Sequence, residues 1–203
     1  MAWDELSRQA MAENDRDRER WIGVYIGILA VMLAICAMGG GNAAKDATLK
    51  NIEASNTWAF FQAKNMRRHT LRLAKSDLEF LLMTETGLPP TARSAIEAKI
   101  ADYAHQDDIL TKDPEKPEGQ REGLDQLWEK GKRLEAERDV AMRKDPYFDY
   151  GQALLQIAIV LASISLITQG TALLAASALL GTFGSVCMAN GYMLIADLPF
   201  VGG

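Results

Sequence analysis

The sequence predicts an all-α membrane protein, with three transmembrane helices and an extramembrane helical-hairpin (coiled-coil-like) domain between the first and the second. Two observations predict this fold class. Residues 21–38 and 152–196 contain no charged side chain, although 24% of the chain is charged. A membrane explains this segregation, because each Lys, Arg or Asp near the bilayer centre costs about 2.5–3.5 kcal/mol. In the charged stretch between them, apolar residues recur every seven positions, which is typical of packed helix pairs.

The first predicted span covers residues 21–38 and follows a polar N-terminal segment, residues 1–20. At about 1.5 Å per residue this span just crosses a hydrocarbon core of about 30 Å, and Trp21 suits the headgroup layer. The three glycines at 39–41 are expected to end the helix. We interpret the span as an uncleaved anchor rather than a signal peptide, because acidic residues accompany the basic ones before it.

The extramembrane domain is predicted to occupy residues 39–149 and to contain three helices. The first helix, residues 42–85, is expected to pack against the third, residues 120–144, through their seven-residue repeats. Residues 91–110 are predicted to form the second helix, and Pro146 is expected to mark the return to the membrane. The repeats are Ile52, Ala59, Met66, Leu73 and Phe80 in the first helix and Leu127, Leu134, Ala141 and Phe148 in and after the third.

The second and third predicted spans cover residues 150–168 and 172–195, with a tight turn at Gly170 and a C-terminal tail at 196–203. A single helix through the whole apolar region would be too long for a bilayer.

Basic residues are unevenly placed around the first span, and the positive-inside rule then puts the N-terminus in the cytoplasm. Three crossings place the helical domain outside, which in a bacterium is the periplasmic side of the inner membrane. The basic residues are Arg8, Arg16, Arg18 and Arg20 before the span and Lys45 and Lys50 after it.

Two of the spans carry small residues at a spacing of four, which lets helix backbones approach closely in lipid. Packing within one chain and packing between chains are both open interpretations of these faces. The candidate packing residues are Gly23 and Gly27 in the first span and Ser177, Gly181, Ser185 and Ala189 in the third.

An aromatic cluster in the extramembrane domain is the candidate interaction surface. In a monomer it would cover the returning helix, and if exposed it would contact another subunit. Gln156 and Asn190 are the only large polar residues well inside the last two spans. Interhelical hydrogen bonding is their favoured role, and lining a pore in an oligomer is the alternative. The cluster consists of Trp58, Phe60, Phe61, Gln62 and Lys64.

The sequence has no phosphate loop, dinucleotide fingerprint, nucleophile elbow or zinc-ligand spacing, so we predict no catalytic residue, cofactor or metal. His105 precedes two aspartates, but a solvated helix face explains this group better than a metal site. Cys36 and Cys187 lie in the apolar runs, where they are expected to pack as small side chains. With a net charge of -5 and no basic stripe, nucleic acid is not an expected partner.

The segment Ala54-Ser55-Asn56-Thr57-Trp58-Ala59-Phe60-Phe61-Gln62-Ala63-Lys64 follows the glycine-rich end of the first span. Together with Gln156-Ile157-Ala158-Ile159 in the second span, it resembles an uncharacterised family of bacterial membrane proteins catalogued as domain of unknown function 4337. The resemblance covers nearly the whole chain in segment order. It implies a bacterial inner-membrane protein with three spans. The family has no established activity, so no functional residue carries over.

These observations favour a non-enzymatic membrane protein. We expect a homo-oligomeric scaffold or a small subunit of a larger membrane complex, with the bilayer, copies of itself or other membrane proteins as partners. A passive channel or transport component formed by an oligomer is the alternative. Active transport is disfavoured, because proton-coupled carriers usually need an ionisable residue inside a span.

Overall fold

A computed structural model describes the backbone of residues 2–196 and the side chains of residues 16–196. The described residues form four α-helices and one short 3-10 helix, and they contain no strand, so the all-α class is confirmed. Apart from Ala196, the predicted C-terminal tail lies outside the described residues. The α-helices are α1 (Ala2–Thr84), α2 (Pro90–Lys112), α3 (Leu124–Thr168) and α4 (Thr171–Met193), and the 3-10 helix is Glu118–Gln120.

Three helices, α1, α3 and α4, are long and apolar enough to cross a membrane. In their apolar windows only 22%, 28% and 22% of the residues are buried by the chain itself. Most of the surface of each apolar stretch is therefore not covered by the chain itself.

Two helices continue where the sequence predicted a break. Helix α1 runs through the glycines at 39–41, and α3 runs through Pro146. At the glycines, Phe148 packs directly against the backbone of α1. A Cβ added at Gly39 would clash with the Phe148 ring, and a Cβ added at Gly40 would lie 3.1 Å from the Cβ of Phe148. The glycines thus allow a close helix contact, which outweighs their poor helix propensity.

The two residues that follow Pro146 are buried, and each forms a hydrogen bond with a distant part of the chain. Tyr147 and Phe148 are only 3% and 2% exposed. The hydroxyl of Tyr147 donates to the carbonyl of Ala196 at 3.1 Å, and the thiol of Cys36 donates to the carbonyl of Phe148 at 3.3 Å. These contacts stabilise α3 across a proline that removes one backbone hydrogen bond.

The chain divides into two compact units. The first contains residues 1–47 and 139–203, and the second is Thr48–Arg138. The core of the first unit joins α1 to α3 with small, aliphatic and aromatic side chains. Helix α4 packs against the backbone of α3 at Gly184. Its buried cluster is Leu29, Cys36, Ala43, Phe148, Leu155 and Ala158.

The second unit contains the last part of α1, all of α2 and the beginning of α3. Asp113 ends α2 with a φ of 49°, and its carboxylate accepts the backbone N–H of Glu122 at 3.1 Å. This bond closes the loop between α2 and α3. The buried hydrophobic residues of the unit are Ala54, Leu110, Leu124, Leu127 and Leu134.

Candidate interaction surfaces

Two of the three predicted aromatic residues of the cluster pack inside the second unit. The ring centroid of Trp58 lies 5.6 Å from that of Phe61 and 5.1 Å from that of Trp128, in edge-to-face geometry. The indole nitrogen of Trp58 donates to Glu135 at 2.9 Å. A Cβ added at Gly131 would lie 2.8 Å from the indole, so this glycine makes room for the ring. Trp58 and Phe61 therefore hold α1 against α3.

The charged rim of this aromatic cluster is paired within the unit. The ammonium of Lys132 lies 5.8 Å and 5.6 Å from the rings of Trp58 and Trp128. Its hydrogen bond to Glu135, followed by that from Trp58, lowers the pKa of the Glu135 carboxyl. The Lys64 ammonium donates to the carbonyl of Glu122. Both lysine ammonium groups beside the cluster therefore have hydrogen-bond partners within the second unit.

Of the five residues predicted as an interaction surface, Phe60 and Gln62 are exposed. Sequence reasoning missed the partners that α3 contributes to Trp58. The signal was available in their spacing, because residues three to four apart share one helix face. These partners are Trp128, Gly131 and Glu135.

A second contact joins α1 to α2 through a two-point ion pair. Arg72 donates from Nε and Nη2 to the two carboxylate oxygens of Asp107, at 2.8 Å and 2.9 Å. The guanidinium of Arg72 is the main cause that lowers the pKa of Asp107. Because the folded pKa lies below the unfolded one, this stabilisation is present above the unfolded value and is lost as pH falls through the folded one.

We expect Asp107→Asn to lower the free energy of unfolding at pH 7 by about 0.5–1 kcal/mol, since Arg72 is half open to solvent. As pH falls through the lowered folded pKa of Asp107, the variant and the wild type should converge, because the carboxyl is then protonated in both states. Urea titration followed by circular dichroism at pH 7 and at acidic pH measures this. Glu118→Gln, in the 3-10 helix, is the matched control. Equal loss at pH 7 in both variants would contradict the pairing.

The seven-residue repeat of α1 does not face α3, so the predicted packing of the two repeats on each other is wrong. Leu127 and Leu134 of α3 are buried, at 5% and 4% exposure. On α1, in contrast, the apolar repeat lies on the outside, and the positions between its members are also exposed. The exposures are 51% for Ile52, 69% for Met66, 68% for Leu73 and 66% for Phe80.

We call this exposed line the α1 stripe: Leu49, Ile52, Asn56, Ala59, Ala63, Met66, Thr70, Leu73, Asp77 and Phe80. The opposite face of α1 carries Trp58 and Phe61, which pack against Trp128. Aromatic side chains bury about 150–250 Å² each, more than the small and polar members of the stripe could bury. The aromatic face therefore turns inward, and the stripe is left outside.

The two small-residue faces differ in their contacts within the first unit. The hydroxyl of Ser177 donates to the carbonyl of Ala158 at 2.6 Å. A Cβ added at Gly181 would lie 2.9 Å from the Tyr25 hydroxyl. Ser177 therefore packs on α3, and Gly181 packs on α1. Gly23 and Gly27 have no atom within 4 Å of an added Cβ. Further along α4, Ser185 is half-buried and bonds its own helix, and Ala189 is exposed.

The two polar residues of the last spans occupy contrasting positions. Asn190 is 7% exposed, and its amide oxygen accepts the N–H groups of Ile195 and Ala196, each at 3.0 Å. Its amide nitrogen donates to the carbonyl of Ala196 at 2.7 Å. Asn190 thus closes the end of α4 within its own chain. Gln156, in contrast, lies on the exposed face of α3.

Comparison with known proteins gives one finding. No curated protein and no solved structure matches this chain. The family described as a domain of unknown function, DUF4337, matches residues 18–194, which include all three candidate spans and the helical unit between the first two. The chain therefore belongs to the DUF4337 family.

Proposed function

We propose that this protein is a non-enzymatic, homo-oligomeric membrane scaffold, or a small subunit of a larger membrane complex assembled through such contacts. The observation that carries the proposal is the α1 stripe. All of its five large apolar members are at least half exposed, namely Leu49, Ile52, Met66, Leu73 and Phe80. Monomeric soluble proteins rarely expose this many large apolar side chains along one helix face, and such faces commonly mark contacts with other proteins.

The length and spacing of the stripe favour a helix as its partner. From Ile52 to Phe80 it extends about 42 Å along α1, at 1.5 Å per residue. A strict seven-residue repeat matches the pitch of a left-handed coiled coil, in which equivalent positions meet along the whole seam. Burial of each large apolar side chain would contribute about 1.5–3 kcal/mol.

A second copy of this chain fits the stripe best. Copies inserted in one direction carry the stripe at the same distance along the chain from the first span, so their helices would be parallel and in register. Each apolar residue would then meet its own copy. Asn56 would also face Asn56, and a polar residue at one such position favours a defined register.

Asp77 is the member of the stripe that opposes this pairing. In a parallel pair the two carboxylates would lie close together and repel each other by about 1 kcal/mol in surroundings similar to water. We therefore expect Asp77→Asn to tighten self-association about fivefold. Dilution of fluorescently labelled protein in lipid vesicles measures the dissociation constant. Asp108→Asn, on α2, removes a charge away from the stripe and should leave the constant unchanged.

The arrangement that we propose for the membrane has the N-terminus in the cytoplasm and the helical hairpin in the periplasm of a bacterial inner membrane. The arginines before the first span support this direction. Contacts of α1 with α2 and with the beginning of α3 support a helical hairpin inside the second unit. In this arrangement the stripe would be open to water in a monomer.

Native mass spectrometry of the protein in nanodiscs tests the proposal. One chain has a mass of 22.3 kDa, and we expect a single particle containing an integral number of copies greater than one. A particle that contains one chain at every concentration would contradict homo-oligomerisation. Copurifying membrane proteins in the same particle would identify the larger complex.

A further inference from the structure

We infer that Gln156 forms an amide–amide hydrogen bond with Gln156 of a second copy inside the membrane. The inference rests on the proposed homo-oligomer and names a contact within it that is separate from the α1 stripe.

The position of Gln156 places a primary amide on a surface that faces lipid. Its side chain is exposed, and among the described residues it has no hydrogen-bond partner. It lies about 9 Å beyond Tyr150, at 1.5 Å per residue, and so inside the predicted span. Gln152, one turn closer to the interface, is half-buried.

The serine and threonine hydroxyls of the last two spans are satisfied by their own chain. Ser163 donates to the carbonyl of Ile159 at 2.8 Å, and Thr182 donates to that of Ala178 at 2.8 Å. Gln156 makes no such bond. Hydrocarbon offers neither donor nor acceptor, so an unpaired amide at this depth is costly.

The surroundings of Gln156 favour a neighbouring helix. Ile157 and Val160 are 49% and 56% exposed on the same side of α3. Ala153, one turn earlier, is exposed and small, which lets a second backbone come close.

A second copy offers this amide a hydrogen-bond partner. The group carries both a donor and an acceptor, so two of them pair with each other. Copies inserted in the same direction present Gln156 at the same depth. Self-association alone would therefore pair the amide, without a different partner protein.

Gln156→Leu tests the contact, because the substitution removes the amide and leaves an apolar side chain that is compatible with lipid. By energy transfer between labelled copies diluted in lipid vesicles, we expect the dissociation constant to rise about threefold to twentyfold, as for hydrogen bonds between membrane helices. Thr182→Val is the matched control, because it removes an exposed hydroxyl that bonds its own helix. Its dissociation constant should equal that of the wild type.

Cross-linking gives a second measurement. In a background of Cys36→Ala and Cys187→Ala, oxidation should join two copies of Gln156→Cys. It should leave Leu179→Cys, at an exposed position of α4, unjoined.

The outcomes separate this inference from the proposed function. If the wild type associates and Gln156→Leu behaves as Thr182→Val does, the amide contact is wrong and the scaffold stands. Equal cross-linking at positions 156 and 179 would also overturn the contact. If the wild type stays monomeric at every protein-to-lipid ratio, both the contact and the homo-oligomeric scaffold are wrong.

Discussion

Replacing Met66 and Leu73 together by glutamate is expected to convert the protein into monomers. Both side chains belong to the α1 stripe and are 69% and 68% exposed, so the substitutions should leave the packing of the chain intact. In a pair of copies, four apolar side chains would lose their burial, which corresponds to about 6 kcal/mol or more. The dissociation constant should therefore rise by more than about four orders of magnitude. Native mass spectrometry in nanodiscs measures the change.

The control for this variant adds the same two charges elsewhere in the second unit. Ala95→Glu with Ala98→Glu places them on the exposed face of α2, and this protein should keep the mass of the wild-type particle. Circular dichroism should show equal helix content in all three proteins. An unchanged particle for the Met66→Glu, Leu73→Glu variant would rule out the stripe as the assembly contact.

Gly184→Leu is expected to have the largest effect on the fold of the first unit. A Cβ at this position would lie 3.1 Å from the carbonyl oxygen of Gly151 and 3.0 Å from Cγ of Leu155. A leucine side chain would have to push α4 away from the backbone of α3. Overpacking of this kind costs about 1–3 kcal/mol and occasionally more, and we expect the upper end because backbone cannot move aside as a side chain does.

Unfolding in mixed micelles with increasing SDS measures this loss of stability. Ala175→Leu enlarges an exposed residue of the same helix and should unfold at the same SDS fraction as the wild type. If Gly184→Leu and Ala175→Leu unfold together, α3 and α4 are not in the close contact described here.

The segregation of charge was sufficient to predict three helices that are long and apolar enough to cross a membrane, because hydrocarbon strongly disfavours charged side chains. The repeat of α3 correctly indicated a buried helix face, since Leu127 and Leu134 are buried, although that face does not pack on the repeat of α1. On α1 the repeat predicted packing against α3, which is wrong, because its large apolar members are exposed. Trp58 and Phe61, on the opposite face, decided the packing through contacts with Trp128.

Helix propensity alone predicts ends in α1 and α3 that the structure does not have, because it ignores contacts between distant residues. Glycine at 39–41 and proline at 146 disfavour helix when each is considered alone. Phe148 packs on Gly39 and Gly40, and a contact between residues so distant in sequence cannot be deduced from either segment. The long continuous α1 and α3 are consequences of that packing.

Asn190 and Gln156 show the same limit at the level of single residues. Each is an amide in an apolar run, and the sequence predicts the same two alternative roles for both. In the structure the Asn190 amide bonds the backbone of residues 195 and 196, whereas Gln156 faces outward. The difference follows from distance to the helix end, since Asn190 is near enough to cap the turn that follows α4.

Cysteine cross-linking in native membranes tests most directly whether a second copy covers the α1 stripe. The measurement uses Leu73→Cys in a background of Cys36→Ala and Cys187→Ala, with Ala98→Cys on α2 as the reference position. The account predicts that mild oxidation yields covalent dimers from Leu73→Cys and none from Ala98→Cys. Monomers alone from Leu73→Cys, or equal dimer yields at the two positions, would contradict it.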